Sequence, residues 1–149
     1  LLYGRAMAHE SDGQLGAMEN DLRSILAQDP DHAATLNALG YTLTNNTQRY
    51  EEAAELIERA LALSPGDPAI LDSLGWVYYK LGQYSASEAL LRRAHNAFPD
   101  PEVAAHLGEV LWMQGRQIEA RDVWRAGLSK VPDHPIILEA ADRLGAELP

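Results

Sequence analysis

Three things are missing or scarce in this 149-residue sequence. There is no cysteine, which excludes disulfide bonds and thiol chemistry and fits either an oxidising or a reducing compartment. No apolar run approaches the ~20 residues needed to cross a bilayer, so this part of the protein is not expected to insert into a membrane. Lys and Arg total 12 against 22 Asp and Glu, a net charge of -10. Because phosphate binding needs clustered basic residues, nucleic acid is not an expected partner.

Motifs for catalysis are also lacking. A glycine-rich phosphate loop and a Gly-X-Ser-X-Gly turn do not occur. No two histidines have the i, i+4 spacing of a zinc pair on a helix, and the five are His9, His32, His95, His106 and His134. Those at positions 32 and 134 lie at turns, where we expect them to cap helices. We therefore expect no enzymatic activity, no metal site and no cofactor.

The chain repeats itself about every 34 residues. A Leu-Gly pair returns after 35 residues and again after 33, as Leu39-Gly40, Leu74-Gly75 and Leu107-Gly108. The second half of each unit returns too, in segments that end at Pro65, Pro99 and Pro132. A period of this length predicts a stack of similar units that share one continuous core.

Proline and glycine punctuate these units. Prolines fall between them, which marks helix ends and first turns. Glycine recurs at the same position within each unit, as Gly13, Gly82 and Gly115, and this predicts a turn between two helices. The unit from Ala33 has Asn45-Asn46 at that position, and there we expect asparagine to take the left-handed conformation. Apolar spacings of three and four residues predict nine helices, over residues 1–10, 14–28, 33–45, 50–63, 68–81, 84–97, 101–114, 117–130 and 135–147.

The unit from Pro68 to Asp100 carries the most complete pattern, with Leu74-Gly75, Tyr78, Gly82, Tyr84, Leu91, Ala94 and Pro99. This pattern resembles the tetratricopeptide repeat. The resemblance implies an all-α fold, a right-handed superhelix of helix-turn-helix repeats. It implies a single domain over 1–149, with a partial repeat over 1–32, repeats over 33–67, 68–100 and 101–134, and a capping helix over 135–149. We expect the glycines of the Leu-Gly pairs to let the two helices of each repeat approach closely.

In arrays of this family the first helix of each repeat lines a concave groove. By phase, the groove residues are Asn37, Tyr41, Asp72, Trp76, Tyr79, Lys80, Glu102, Glu109, Trp112 and Met113. Aromatic side chains contribute strongly to binding, so we expect them to hold an apolar or aromatic segment of a partner while the carboxylates select basic neighbours. We expect Trp76 and Trp112 to be exposed in the groove and Trp124 to lie in the core.

A narrower resemblance concerns the Leu-Gly segments beginning at Leu36, Asp72 and Ala105. They look like the C-terminal repeats of proteobacterial outer-membrane lipoproteins that act as periplasmic adaptors. This implies a protein-binding adaptor or scaffold that recruits a protease or cell-wall enzyme, in a protein tethered to the outer membrane. The chain lacks an initiating Met and a leader sequence, so we expect it to be part of a longer protein.

Two alternatives stay open. The segment could instead complete and solubilise a longer solenoid whose upstream repeats bind the partner. Apolar surface at the N-terminal repeat could also support self-association.

Overall fold

A computed structural model describes residues 14–148, and within that range the chain forms eight α-helices and no strand. The helices are α1 (Leu15–Gln28), α2 (Ala33–Asn46), α3 (Tyr50–Leu63), α4 (Pro68–Lys80), α5 (Tyr84–Ala97), α6 (Pro101–Met113), α7 (Gln117–Lys130) and α8 (Pro135–Arg143). The predicted all-α solenoid is confirmed over this range. The predicted helix over 1–10 and the turn at Gly13 lie outside the described residues.

The helices pack as successive pairs. α2 packs on α3, α4 on α5 and α6 on α7, and each first helix of a pair also contacts the first helix of the next pair. α8 extends the row of first helices by contacting α6. We call the surface formed by α2, α4, α6 and α8 the inner face.

Capping residues fix where the first helices begin. Proline opens α4, α6 and α8, and the side chain of the preceding residue accepts a hydrogen bond from the second backbone N–H of the helix, from Asp67, Asp100 and His134. α2 uses His32, whose Nδ1 accepts from the backbone N–H of Thr35. The capping roles predicted for His32 and His134 are confirmed.

The turns inside the pairs follow the glycine prediction at two places and depart from it at a third. Gly82 and Gly115 have φ of +79° and +82°. Asn46 was expected to be left-handed but does not have a positive φ. It remains the last residue of α2, where its side chain donates to the carbonyl of Thr42 while the Thr47 hydroxyl donates to that of Leu43. Side chains therefore satisfy the last carbonyls of α2. At a helix end with a left-handed residue, backbone N–H groups would do so instead.

The last helix is shorter than predicted. α8 ends at Arg143 instead of 147, because Gly145 takes a φ of +76° and the N–H of Ala146 returns to the carbonyl of Ala141. α4 and α6 also end before a glycine of positive φ, but in α8 this glycine comes one helical turn earlier, counted from the start of the helix.

Glycine allows the close contact inside each pair, as expected. A Cβ at Gly40 would collide with Ile57, one at Gly75 with Leu91, and one at Gly108 with the Trp124 indole. All three of these larger side chains are fully buried on the second helix of the pair. The glycines therefore create the space that the second helix fills.

The apolar core consists of two large clusters, one drawn from α1–α4 and one from α5–α8. A small cluster from α4, α5 and α6 joins Leu71, Ala94 and Val103. Trp124 is fully buried in the second cluster, which confirms its predicted core position.

Two matching ion networks bridge second helices on the side away from the inner face. Each has two Glu and two Arg, and the sets are Glu19, Arg23, Arg49 and Glu52, and Glu88, Arg92, Arg116 and Glu119. The bridges between helices are 2.6 Å (Arg23–Glu52) and 2.9 Å (Arg92–Glu119). Such exposed pairs each contribute little free energy, so we assign them a role in alignment more than in stability.

Replacing Gly108 with Ala should destabilise the fold. The new methyl group would press on the Trp124 indole, which is fully buried and cannot move aside. Overpacking of this kind costs about 1–3 kcal/mol of unfolding free energy, measurable by urea denaturation.

Gly16→Ala is the matched control, since Gly16 is also helical but has no atom within 4 Å of an added Cβ. It should be neutral or stabilising by up to ~1 kcal/mol, because alanine favours helix. Equal stability of the two variants would contradict the close-contact account.

Candidate functional site

One hydrogen bond spans three helices of the inner face. The Tyr41 hydroxyl on α2 donates to Oε1 of Glu102 on α6 at 2.5 Å, across the intervening α4. Burial, together with the Glu102 carboxylate, raises the pKa of Tyr41 well above its usual range, so the hydroxyl stays protonated and keeps donating.

Trp76 lies on the inner face but is packed, so its expected exposure is wrong. Only 7% of the residue is exposed. Its ring stacks on His106 with centroids 4.0 Å apart, and on Tyr79 at 5.0 Å. The indole N–H donates to Oδ1 of Asn45 at 3.0 Å, and the Lys80 ammonium lies 4.9 Å from the indole centroid. Trp76 thus joins α2, α4 and α6 and forms the floor of the face.

A buried ion pair lies beside this tryptophan. Nδ1 of His106 on α6 is 2.9 Å from Oδ1 of Asp72 on α4, and both residues are buried. Burial alone would lower the pKa of His106, but the Asp72 carboxylate, helped by Glu102 and Glu109, outweighs it and raises the pKa. The protonated imidazole is therefore favoured in the folded state.

A second buried carboxylate ties the last three first helices together. Glu109 on α6 is only 2% exposed. It accepts a hydrogen bond from the Tyr79 hydroxyl on α4 at 2.7 Å, and two from the Arg143 guanidinium on α8 at 2.6 and 3.1 Å. The pKa of the Arg143 guanidinium is raised above its usual value, and the hydrogen bond to Glu109 is the largest cause. These three hydrogen bonds offset the cost of burying the carboxylate, which would be high for a lone charge.

Nine of the ten predicted groove residues fall into two groups, and the tenth, Asn37, lines the cleft described below. Most lie along the network described above, namely Tyr41, Asp72, Trp76, Tyr79, Lys80, Glu102 and Glu109. Trp112 is separate, since its ring packs on Trp124 at 5.9 Å and lies 5.1 Å from the Arg121 guanidinium, both on α7. Met113, beside it, is 45% exposed. The structure does not bring Trp112 into contact with Trp76.

An open cleft of about 410 Å³ lies at one end of the inner face. Its lining residues come from α2, from the start of α4, and from the loop before α6 together with the first turn of α6: Asn37, Ala38, Tyr41, Pro68, Ala69, Asp72, Ser73, Phe98, Asp100, Glu102 and Val103. Phe98 is 61% exposed at this cleft. Sequence reasoning identified four of these residues but missed Phe98 and Asp100, which lie outside the first helices that it considered.

Sequence reasoning also missed His106 and Arg143. Each lies 34 residues after the carboxylate that it contacts, Asp72 and Glu109 respectively. Opposite charges about one repeat apart were therefore the available signal. Between residues 14 and 148, no group of three or more His, Asp or Glu side chains is arranged to hold a metal ion. Within the same residues, none of the helices combines the length and the apolar character that a bilayer span requires.

Two tetratricopeptide-repeat family models match residues 3–68 and 46–110 of this sequence. The chain belongs to the tetratricopeptide-repeat family. The TPR repeat-containing protein PA4667 of Pseudomonas aeruginosa is 55% identical over 109 residues, covering 73% of this chain and 18% of that protein. The chain therefore spans less than a fifth of the length of that curated relative.

Solved structures share the fold. TTC0263, a thermophilic TPR protein of Thermus thermophilus, aligns with a TM-score of 0.80 at 22% identity, covering 97% of this chain and 78% of that one. An O-GlcNAc transferase of Thermobaculum terrenum aligns with a TM-score of 0.76 at 28% identity, covering 84% of this chain and 25% of that one. Tetratricopeptide repeats are protein-interaction modules, and this last neighbour has them in an enzyme.

Replacing Trp76 with Ala should cost about 3–5 kcal/mol of unfolding free energy, because it removes a buried aromatic side chain. The loss includes both ring stacks and the hydrogen bond to Asn45. Urea unfolding followed by circular dichroism gives the value. Trp112→Ala is the comparison and should cost less, since Trp112 is only partly buried. A Trp76→Ala protein as stable as the wild type would show that the ring is exposed in solution.

The His106–Asp72 pair should make stability depend on pH. Because the folded pKa of His106 is above its ordinary value of 6.5, the stabilisation is complete below pH 6.5 and is lost as the pH rises through the raised pKa. His106→Gln cannot titrate, so its unfolding free energy should change less over that range.

His95→Gln provides the opposite control. Burial and the charges of Lys130 and Arg92 lower the pKa of His95, so this residue makes the folded state less stable as the pH falls. The His95→Gln variant should still lose unfolding free energy above pH 6.5, as the wild type does. An identical pH profile for wild type and His106→Gln would contradict the ion-pair assignment.

Proposed function

We propose that this chain is a non-catalytic protein-binding module, an adaptor or scaffold whose inner face holds a segment of a partner protein. The observation that carries the proposal is the network of buried polar and aromatic side chains that spans α2, α4, α6 and α8. A face fixed in this way is already shaped before a partner arrives, so little ordering entropy is lost on binding.

The chemistry of the face favours a partner that is partly apolar and partly basic. Tyr41 and Tyr79 are partly exposed. The Glu102 carboxylate beside Tyr41 is paired with no cation within the described residues, whereas Glu109 beside Tyr79 is buried and paired with Arg143. Aromatic rings supply contact area, and carboxylates favour nearby cations.

The proposed setting is the bacterial periplasm, with the full-length protein tethered to the outer membrane and recruiting a protease or cell-wall enzyme. Support comes from the resemblance of the Leu-Gly segments to those of periplasmic adaptor lipoproteins. Fractionation of the full-length protein would test it. We expect an outer-membrane pool that is digested by protease added after the outer membrane is opened. A cytoplasmic pool would contradict the proposed location.

A structural role is the second candidate, and α8 supports it. Counted from the first helical residue, Asp142 of α8 has the position that Gly40, Gly75 and Gly108 have in α2, α4 and α6. Asp142 is exposed there, and a charge at this position opposes the close approach of a further second helix. A helix of this kind suits the closing end of a solenoid.

Site-specific photo-crosslinking separates the two candidates. A benzophenone amino acid replaces Lys80 or Met113, both exposed on inner-face helices, and each protein is irradiated in an envelope extract of the source organism. The control carries the probe at Ile118 on α7, which is 77% exposed. Binding on the inner face predicts that one partner, identified by mass spectrometry, crosslinks from positions 80 and 113 and not from 118.

Two outcomes would contradict the proposal. Equal crosslinking from all three positions would mean that the inner face is not the contact surface. No crosslinking from any position would favour the structural role, with the partner bound by repeats elsewhere in the full-length protein.

A further inference from the structure

The cleft at the end of the inner face is acidic and has no internal cation. Asp72, Asp100 and Glu102 line it, whereas none of the lining residues is Lys or Arg. Asp72 is paired with His106, which does not line the cleft. The Glu102 carboxylate accepts a hydrogen bond only from the neutral Tyr41 hydroxyl, and the Asp100 carboxylate accepts one from the backbone N–H of Glu102. The cleft therefore carries uncompensated negative charge that favours a cationic occupant.

One polar atom in the cleft wall is left without a partner. Oδ1 of Asn37 is fully buried and accepts no hydrogen bond. An unsatisfied buried acceptor costs roughly 1–3 kcal/mol, so a rotation of this half-buried amide that presents Oδ1 to a donor of a ligand would recover part of that cost. The unpaired amide oxygen and the carboxylates of the cleft both require hydrogen-bond donors.

An exposed aromatic ring completes the cleft. Phe98 lies in the loop before α6, two residues from Asp100, and most of its surface is open to solvent. An exposed phenylalanine at a cleft lined by acids can stack a planar cation on its face. Arginine fits this better than lysine, because its guanidinium is planar, presents five donors and stacks on aromatic rings.

We propose that this cleft binds an arginine side chain of the partner segment, stacked on Phe98 and hydrogen-bonded to Asn37 and Glu102. The inference rests on the proposed function, since it identifies the kind of residue that the inner face selects. A segment that presents a free carboxylate instead would meet the carboxylates of Asp100 and Glu102, neither of which is paired with a cation within the described residues.

Two synthetic peptides test this, acetyl-Ser-Leu-Arg-Leu-Ser-amide and the same peptide with citrulline in place of arginine. Citrulline has nearly the same shape without the charge. Each is titrated into the 149-residue chain and followed by ¹H–¹⁵N NMR. We expect the arginine peptide to shift the backbone resonances of Asn37, Phe98 and Glu102, with an affinity at least tenfold above that of the citrulline peptide.

Variants locate the contact. Glu102→Gln keeps an acceptor for the Tyr41 hydroxyl but removes the charge, and should lower the affinity for the arginine peptide at least fivefold. Phe98→Ser should also lower it, and because the ring is exposed the fold should persist, as circular dichroism would confirm. Glu55→Gln, on the exposed surface of α3, is the matched control and should bind like the wild type.

Three results would overturn the proposal. These are equal affinity for the two peptides, no binding of the arginine peptide, and binding that Glu102→Gln leaves unchanged. The crosslinking experiment keeps this separate from the proposed function. A partner crosslinked from positions 80 and 113 whose yield is unaffected by Glu102→Gln would leave the protein-binding role intact and remove only the arginine site.

Discussion

The contact between a helical glycine and a large buried side chain on the partner helix sets the geometry of the three complete helix pairs that the structure describes. Gly40, Gly75 and Gly108 each leave a space that Ile57, Leu91 or Trp124 fills. Because the same contact recurs at the same phase, successive pairs have the same internal geometry. The first helices therefore all lie in one row, with the second helices behind them. The inner face exists because this contact repeats.

On that face, polar groups join the repeats to one another, in addition to the apolar clusters that run from pair to pair. The links that run from repeat to repeat are Tyr41–Glu102, Trp76–Asn45, Asp72–His106 and Glu109 with Tyr79 and Arg143. Buried polar groups of this kind are stabilising only when every one is satisfied. This requirement restricts how neighbouring repeats can be placed relative to each other.

The periodicity of the sequence was sufficient to predict the helices, the close glycine contacts and the buried Trp124, since each is a property of a single repeat. Contacts between repeats were harder to predict. Trp76 has an inner-face phase, but its burial depends on His106 and Asn45 in neighbouring repeats. Asn46 was expected to need a left-handed backbone because its side-chain bond to Thr42 could not be foreseen. The cleft combines three segments from different repeats, so Phe98 belongs to no single-helix pattern. The assignment of the inner face as the binding surface remains a prediction.

Hydrogen–deuterium exchange of the chain with and without its crosslinked partner tests the central claim most directly, because it reports on every helix at once. If the inner face binds the partner, added protection should appear in α2, α4 and α6 and in the loop that contains Phe98, while α3, α5 and α7 remain as in the free chain. Protection confined to the second helices, or spread evenly over both sets, would contradict the assignment.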